Sequence, residues 1–391
     1  MGPDERRRRL ALRHSLGGTR HGTDVASLVV RMIGLHASDP ATVHLSARAR
    51  VPMLELTDME SALYEERNLV RVLGMRRTLF VVAVDDAPLL QHGCAGPLAA
   101  RERQRLVKLI EESGIATDGG RWLARIEAAT IAALEERGLA TASELTQDVP
   151  ELGEKIVYSP DKPYGGAFGV VTRVLFLLAT DSRIVRGRPR GGWTSSLYQW
   201  APLSSWAPAA DRQVAMDDAR RALAERWLRT FGPAPVADLE WWSGWGKRAV
   251  ARALAALDIA AVDLEEGDGV ALADDLEPTP MPQPWAALLP GLDPTVMGWK
   301  HRAWFLGDHH DALFDRNGNA GPTVWWNGRV VGGWTQRPDG QVVHRLLEDV
   351  GSEASAAIES RAAELEGWLG ERRFVSRFRT PLERDLFESG S

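Results

Sequence analysis

An imidazole, a hydroxyl and a carboxylate stand within four residues in the stretch Gly34-Leu35-His36-Ala37-Ser38-Asp39-Pro40. In an extended or turning segment, residues two apart point the same way, so His36 and Ser38 can face one target. Such a set, held between two helices, could hold a water. A plainer reading competes with it. Ser38 or Asp39 caps the following helix, with Pro40 in its first turn. Proline also pushes Asp39 out of helical geometry, so the segment ends there on either reading.

Both readings need the same scaffold. An apolar run over 25–33 predicts a helix leading into the segment, started by Thr23 or Asp24, and a further helix follows over 41–49. Before them, 5–15 reads as a short basic helix ending ahead of Gly17-Gly18. After them, Thr57-Asp58-Met59-Glu60 has the spacing of a capping box and predicts a helix through Leu73, stopped by Gly74. The β-rich run 77–82 is then a strand. Helices followed by a strand ribbon is the order of a winged helix.

That order recurs. A helix over 121–136 leads into Gly138-Leu139-Ala140-Thr141-Ala142-Ser143-Glu144-Leu145, and a helix over 217–231 leads into Gly232-Pro233-Ala234-Pro235-Val236-Ala237-Asp238-Leu239. Each is a glycine stop, a short turn, a cap position, then an acid and a leucine one turn into the next helix, which is how a helix-turn-helix reads. Third helices over 171–179 and 249–257 precede strand ribbons at 183–186 and at 260–263 with 270–272. In the first copy, 69–73 holds the corresponding helical place. The reading is α+β, with three tandem winged-helix units over 1–100, 101–206 and 211–277. Residues 278–391 change character. Prolines at 278, 280, 282, 284 and 290 form a linker anchored by Trp285. Hairpins on Asn327-Gly328 and Asp339-Gly340 then predict, with 295–306, a small antiparallel barrel or sheet, followed by a helix over 353–370 and a basic tail.

Charge is segregated along the chain. The net charge is only −6. Yet arginines cluster at 6–9, at Arg76-Arg77, at 101–105, at Arg183, Arg186, Arg188 and Arg190, and over 372–379, while acids collect over 263–275. Arginine suits bidentate contact with phosphate, although an arginine- and alanine-rich composition also follows from a GC-rich genome. The second ribbon carries four arginines in eight residues, which repel one another without a counter-charge. Arg76, Arg77, Arg183, Arg186, Arg188 and Arg190 are therefore the candidate phosphate contacts, with a solvated hairpin as the alternative for the second ribbon. The acidic third ribbon should not face phosphate.

Other function classes find little support. Cys94 is the single cysteine, which excludes an internal disulfide and a cysteine-based zinc site. Asp308-His309-His310-Asp311 invites a metal reading, but adjacent histidines diverge and no further ligand has a recognisable spacing. Trp241-Trp242 and Trp245 could stack on bases, but burial is the commoner use. There is no phosphate-loop spacing, no nucleophile elbow, no signal peptide and no apolar run long enough for a membrane span. A cytoplasmic protein without metal or organic cofactor is expected.

The segment Leu288-Leu289-Pro290-Gly291-Leu292-Asp293-Pro294 and the hairpin Asn327-Gly328-Arg329-Val330-Val331-Gly332-Gly333-Trp334, set behind repeated helix-turn-helix patterns, resemble the bacterial winged helix DNA-binding domain proteins, a group that includes the AlkZ/YcaQ-type DNA glycosylases. The resemblance covers nearly the whole chain. It implies a C-shaped, monomeric molecule that clasps duplex DNA and removes alkylated purines, including bulky adducts and crosslinks. It also implies a Gln-x-Gln or Gln-x-Asp pair just after the helix matching 25–33, orienting a water toward the sugar carbon. His36 and Ser38 stand at those two positions, and Asp39 follows one residue later. The catalytic candidates are thus His36, Ser38 and Asp39. The alternative is a DNA-binding regulator or lesion sensor that has lost the water site.

Overall fold

The computed structural model describes residues 1–17, 24–158 and 166–389. Gly18 and Thr23 lie outside the described residues. The chain forms two compact units. The first is discontinuous, joining Met1–Met59 to Arg221–Ser391; the second is Glu60–Arg220.

In the first unit, the arginine-rich N-terminal helix Pro3–Arg13 is an anchor. Arg9 is 1% exposed; its Nε donates to Glu5 at 2.8 Å, and its terminal nitrogens donate to the carbonyls of Asp275 and Glu277. Arg13 grips both oxygens of Asp275 at 2.6 and 2.7 Å, and Arg6 pairs with Glu266. Glu266 and Asp275, from the acidic stretch 263–275, are thus counter-charges of this helix. Helix Val25–Arg31 starts on Asp24, which accepts from the Ser27 N–H at 2.8 Å. Ile33 and Gly34 then take positive φ of 57° and 106° and turn the chain into the extended pair Leu35–His36.

The next helix, Pro40–Arg48, is almost wholly buried. Just beyond it lies a buried ion pair. Arg50 and Asp293 are both fully buried, joined by hydrogen bonds of 2.9 and 2.7 Å. Ser46 donates to the same carboxylate, and Arg50 also reaches Thr295 and the His14 carbonyl. Arg50 holds Asp293 below the usual carboxylate range against the desolvation of burial. His14, desolvated and beside Arg50, is held neutral with its pKa pushed down to about 3.

Asp293 also caps a short helix, Pro294–Met297, by accepting from the Thr295 N–H at 2.9 Å. The expected strand over 295–306 is therefore helical, continuing with Ala303–Leu306. The fourth strand is instead Ala286–Leu289, inside the proline-rich stretch. It completes an antiparallel sheet in which it pairs with Thr323–Trp326, then Arg329–Gln336, then Val342–Leu346. The Asn327-Gly328 turn has φ of 47° and 83°, the left-handed pair that this dipeptide favours. Trp285 is buried, as expected of an anchor.

The third helical copy lies here too, as Val236–Ser243, Lys247–Ala255 and the hairpin Ile259–Leu264 with Gly267–Leu272. Trp242 is buried against Trp227 and Phe231, and Arg302 lies over Trp241 at 4.6 Å. Trp242 and Trp245 are buried, and Trp241 is half-buried.

In the second unit, helices Gly119–Arg137, Ala142–Asp148 and Val170–Thr180 precede the hairpin Ile184–Arg190 with Leu197–Pro202. Leu123, Ile126, Leu134, Leu145, Val174 and Leu178 form its core. Gly138 stops the first helix at φ 71°, and Thr141 with Glu144 forms a complete capping box. The helices and the last hairpin follow the order read from the sequence, but an unexpected strand pair, Lys155–Tyr158 with Gly166–Gly169, stands before the third helix. Trp193, expected on the return strand, falls in the connecting turn.

The first copy departs furthest from expectation. The helix beginning near Thr57 does not run to Leu73. It covers Leu56–Glu60 and widens into a π turn over Ser61–Glu65. Its reciprocal cap is Asp58 accepting from the Glu55 N–H at 2.8 Å, not a Thr57–Glu60 box. Arg67 at φ 55° breaks it, and Leu69–Leu73 is a strand paired with Leu79–Ala83. Val70 and Val72 favour a strand, and burial on both faces removed the alternation that would have announced one. The first copy thus has a hairpin where its third helix was expected.

Candidate nucleic-acid site

The first unit brings the His36 segment to a second piece of chain far away in sequence. His36 is 3% exposed, its ring fixed by the turn after Val25–Arg31. The Ser38 N–H points at His36 Nδ1 at 3.4 Å. A ring that accepts at Nδ1 carries its proton on Nε2 when neutral, and so offers a donor there rather than a base. Ser38 is half-buried.

Asp39 does what the plainer reading asked. One oxygen caps the helix, accepting from the Ala41 N–H at 3.1 Å, with Pro40 in the first turn. The other accepts from the Arg377 N–H at 2.8 Å. Burial raises its pKa against those two hydrogen bonds. Asp39 is thus a fastener between the segment and residues 376–380, with both oxygens engaged.

Arg377 joins the segment to a cavity. Its guanidinium donates to the Ser38 carbonyl at 3.2 Å and also lines a space of about 510 Å³ bounded by Asp315, Arg316, Asn317, Arg379 and Arg384. Arg379 lies over Phe387 at 4.7 Å. Among the described residues, neither Arg316 nor Arg384 has a carboxylate partner. Four arginines and one carboxylate, Asp315, which accepts from Asn317 and Asn319, line the space and leave it a positive balance of the kind that attracts phosphate. Behind it, Glu383 is 2% exposed in the first turn of helix Pro381–Glu388. Burial raises its pKa to about 7 despite hydrogen bonds from Ser376 and the Thr380 backbone, and nearby Asp39 adds to the rise. Sequence reading flagged the basic run at 372–379 but selected none of these residues. Arg316 is some sixty positions away from that run, and nothing local marks Glu383 as buried.

The predicted phosphate contacts all lie in the second unit. Arg183 is exposed. Arg188 is bound to Glu60 and Glu65 at 2.6 Å each, and Arg190 to Glu144 at 2.7 Å. Arg186 lies over Trp200 at 4.5 Å. The hairpin's own charge repulsion is therefore answered largely from within the protein. Arg76 and Arg77 occupy the turn of the 69–83 hairpin, both at positive φ (49° and 64°). Burial lowers the pKa of Arg76 to about 10, and Arg77 pairs with Glu102 at 2.9 Å.

In the histidine-rich stretch, His309 faces Glu348 at 3.4 Å and His310 stacks on Phe314 at 4.6 Å. Among the described residues no three His, Cys, Asp or Glu side chains gather as a metal site. Among them, too, no helix is long and apolar enough to cross a membrane.

Comparison with known proteins fits this arrangement. The solved structure of the Streptomyces sahachiroi DNA glycosylase AlkZ superposes with a TM-score of 0.71 over 96% of this chain and 98% of that one, at 19% identity. No curated protein matches the chain in sequence. A family profile described as DNA glycosylase AlkZ-like matches residues 29–368, from within the helix before His36 to the helix after the sheet. The chain therefore belongs to the AlkZ-like DNA glycosylase family.

Proposed function

We propose that this protein hydrolyses the N-glycosidic bond of alkylated purines in duplex DNA, with bulky N7-guanine adducts and crosslinks as its substrates. The observation that carries the reading is the link made by Arg377. One residue ties the His36–Ser38 pair, at the family's water-binding position, to a cavity of four arginines. Strand backbone in that cavity would lie beside the pair.

The chemistry asks little of the pair. Alkylation at N7 already makes the purine cationic, so the base leaves without being protonated. What the protein must supply is a held water and a field that tolerates the developing charge. His36 would hold the water through Nε2 and Ser38 through its hydroxyl. Asp39 acts as a positioning residue, because both its oxygens are engaged. No metal or cofactor enters the scheme. The helix–helix–helix–hairpin copies at 119–202 and 216–272 would serve as winged helices, with the exposed Arg183 as the second copy's phosphate contact and Arg76, Arg77 and Arg188 in support. We expect a cytoplasmic monomer.

Base release tests this directly. Purified protein is incubated with duplex DNA carrying a bulky N7-alkylguanine, then strand cleavage is read after hot alkali. His36→Ala should lower release at least about tenfold, while affinity for the same duplex changes less than about twofold. Equal release by the variant would sink the role of His36. One observation favours a second reading, a non-catalytic lesion sensor: each oxygen of Asp39 already accepts from a backbone N–H that fastens the segment. Salt-sensitive binding with no release from any N7 adduct would select it.

A further inference from the structure

The second unit holds a cavity of about 700 Å³ that the proposed reaction does not use. Its walls are Leu79, Leu175, Phe176, Tyr198 and Trp200, with Leu197 at the rim, 69% exposed. Thr141, Ser143, Thr172 and Ser196 are its neutral polar lining residues, and Arg190, paired with Glu144, also lines it. The volume falls in the usual range for small-molecule sites, and the mixture of apolar walls with a few polar points is what such sites show.

Its charge is one-sided. The Arg186 guanidinium lies over Trp200 at 4.5 Å and lines the cavity. Arg71, 2% exposed, lies over Tyr198 at 4.7 Å and donates to the Tyr64 hydroxyl at 3.2 Å. Among the described residues, neither has a carboxylate partner. This differs from the same hairpin's Arg188 and Arg190, which are both paired. Burial lowers the pKa of Arg186 to about 10, so it stays charged at neutral pH. Desolvated cations without an anion are costly, and an incoming anion relieves that cost.

We propose that this cavity is a second ligand site, independent of the glycosylase reading, that takes a small molecule with a flat aromatic body and one anionic group. The body stacks between Phe176 and Trp200, and the anion meets Arg186. A purely apolar ligand would leave Arg186 unanswered, and a simple inorganic anion would leave the walls wet.

The test uses the full chain and two fluorescent probes of similar shape, the anionic anilinonaphthalene sulfonate and the neutral N-phenylnaphthylamine. One saturable sulfonate site per chain is expected. Arg186→Met should weaken the sulfonate about tenfold and the neutral probe less than about threefold. Arg186→Lys should restore most of the difference. Leu197 is exposed, so rim variants test the site without burdening the fold. Leu197→Glu should weaken the sulfonate several-fold, and Leu197→Lys should not. Three results would overturn the proposal: many weak sites on the wild-type chain, equal effects of the two Leu197 variants, or competitive displacement of the probe by undamaged duplex DNA. The last would make the cavity part of a DNA surface.

Discussion

The N-terminal helix and the cavity beside Ser38 are both built from arginine, and they use it in opposite ways. In the helix Pro3–Arg13, each guanidinium from Arg6 to Arg9 meets a carboxylate, and Arg9 is sealed from water. In the cavity, Arg316 and Arg384 lack such partners among the described residues. The sequence shows the first cluster far more loudly, four in a row against a scattered set. Charge density in a sequence measures charge that must be answered. Only the fold says whether the protein answers it or leaves it for a ligand.

The comparison can be broken at its most buried member. Arg50→Met should cost about 3–5 kcal/mol in urea unfolding, because it strands Asp293 in the core. The double variant with Asp293→Leu should recover much of that. If the single variant were nearly neutral, the buried pair would not be holding the first unit together.

Glu383 sharpens the contrast from the acidic side. Its carboxyl titrates near 7 in the folded protein against 4.5 in the unfolded chain. The folded state therefore prefers the proton. The stability it contributes is fully present below about pH 4.5 and is lost as pH rises through 7. Between about pH 4.5 and 7 the wild type should weaken progressively, by about 3 kcal/mol for the whole shift, and level off above about pH 7.5. Glu383→Gln should be flat over the same range. Parallel curves from thermal melts would refute the assignment.

The smallest effect on stability is the most telling for function. Arg9→Met should cost roughly 2 kcal/mol or more as a buried charge network is cut. Arg384→Gln should leave stability within about 0.5 kcal/mol and reduce DNA affinity, lowering the salt slope by about one. A variant at Arg384 that unfolded the protein and spared DNA binding would reverse the whole distinction.

What could be read in advance was local. The Thr141–Glu144 capping box, the Asn327-Gly328 turn and the Asp39-Pro40 cap each depend on a few neighbouring residues, and each is found. What failed depended on context. Leu69–Leu73 is buried on both faces, so no period separates strand from helix. The segment 295–306 turns helical on the cap that Asp293 supplies. Asp39 looked like a candidate carboxylate because its two N–H partners come from Ala41, close by, and Arg377, which no local pattern links to it. The cavity arginines were out of reach for the same reason. Their meeting is a property of the assembled unit.

The discontinuity of that unit has a consequence for the order in which the chain can be made. Arg50 leaves the ribosome 243 residues ahead of Asp293. At ordinary elongation rates of about 5–20 residues per second the delay is roughly 10–50 s. Through that interval the N-terminal segment, His36 included, has no carboxylate for its central guanidinium and no Arg377 backbone from which to hang Asp39. Glu60–Arg220 is complete well before then. A nascent chain stalled short of residue 293 should therefore present one protease-resistant body trailing an N-terminal segment that is still open to cleavage.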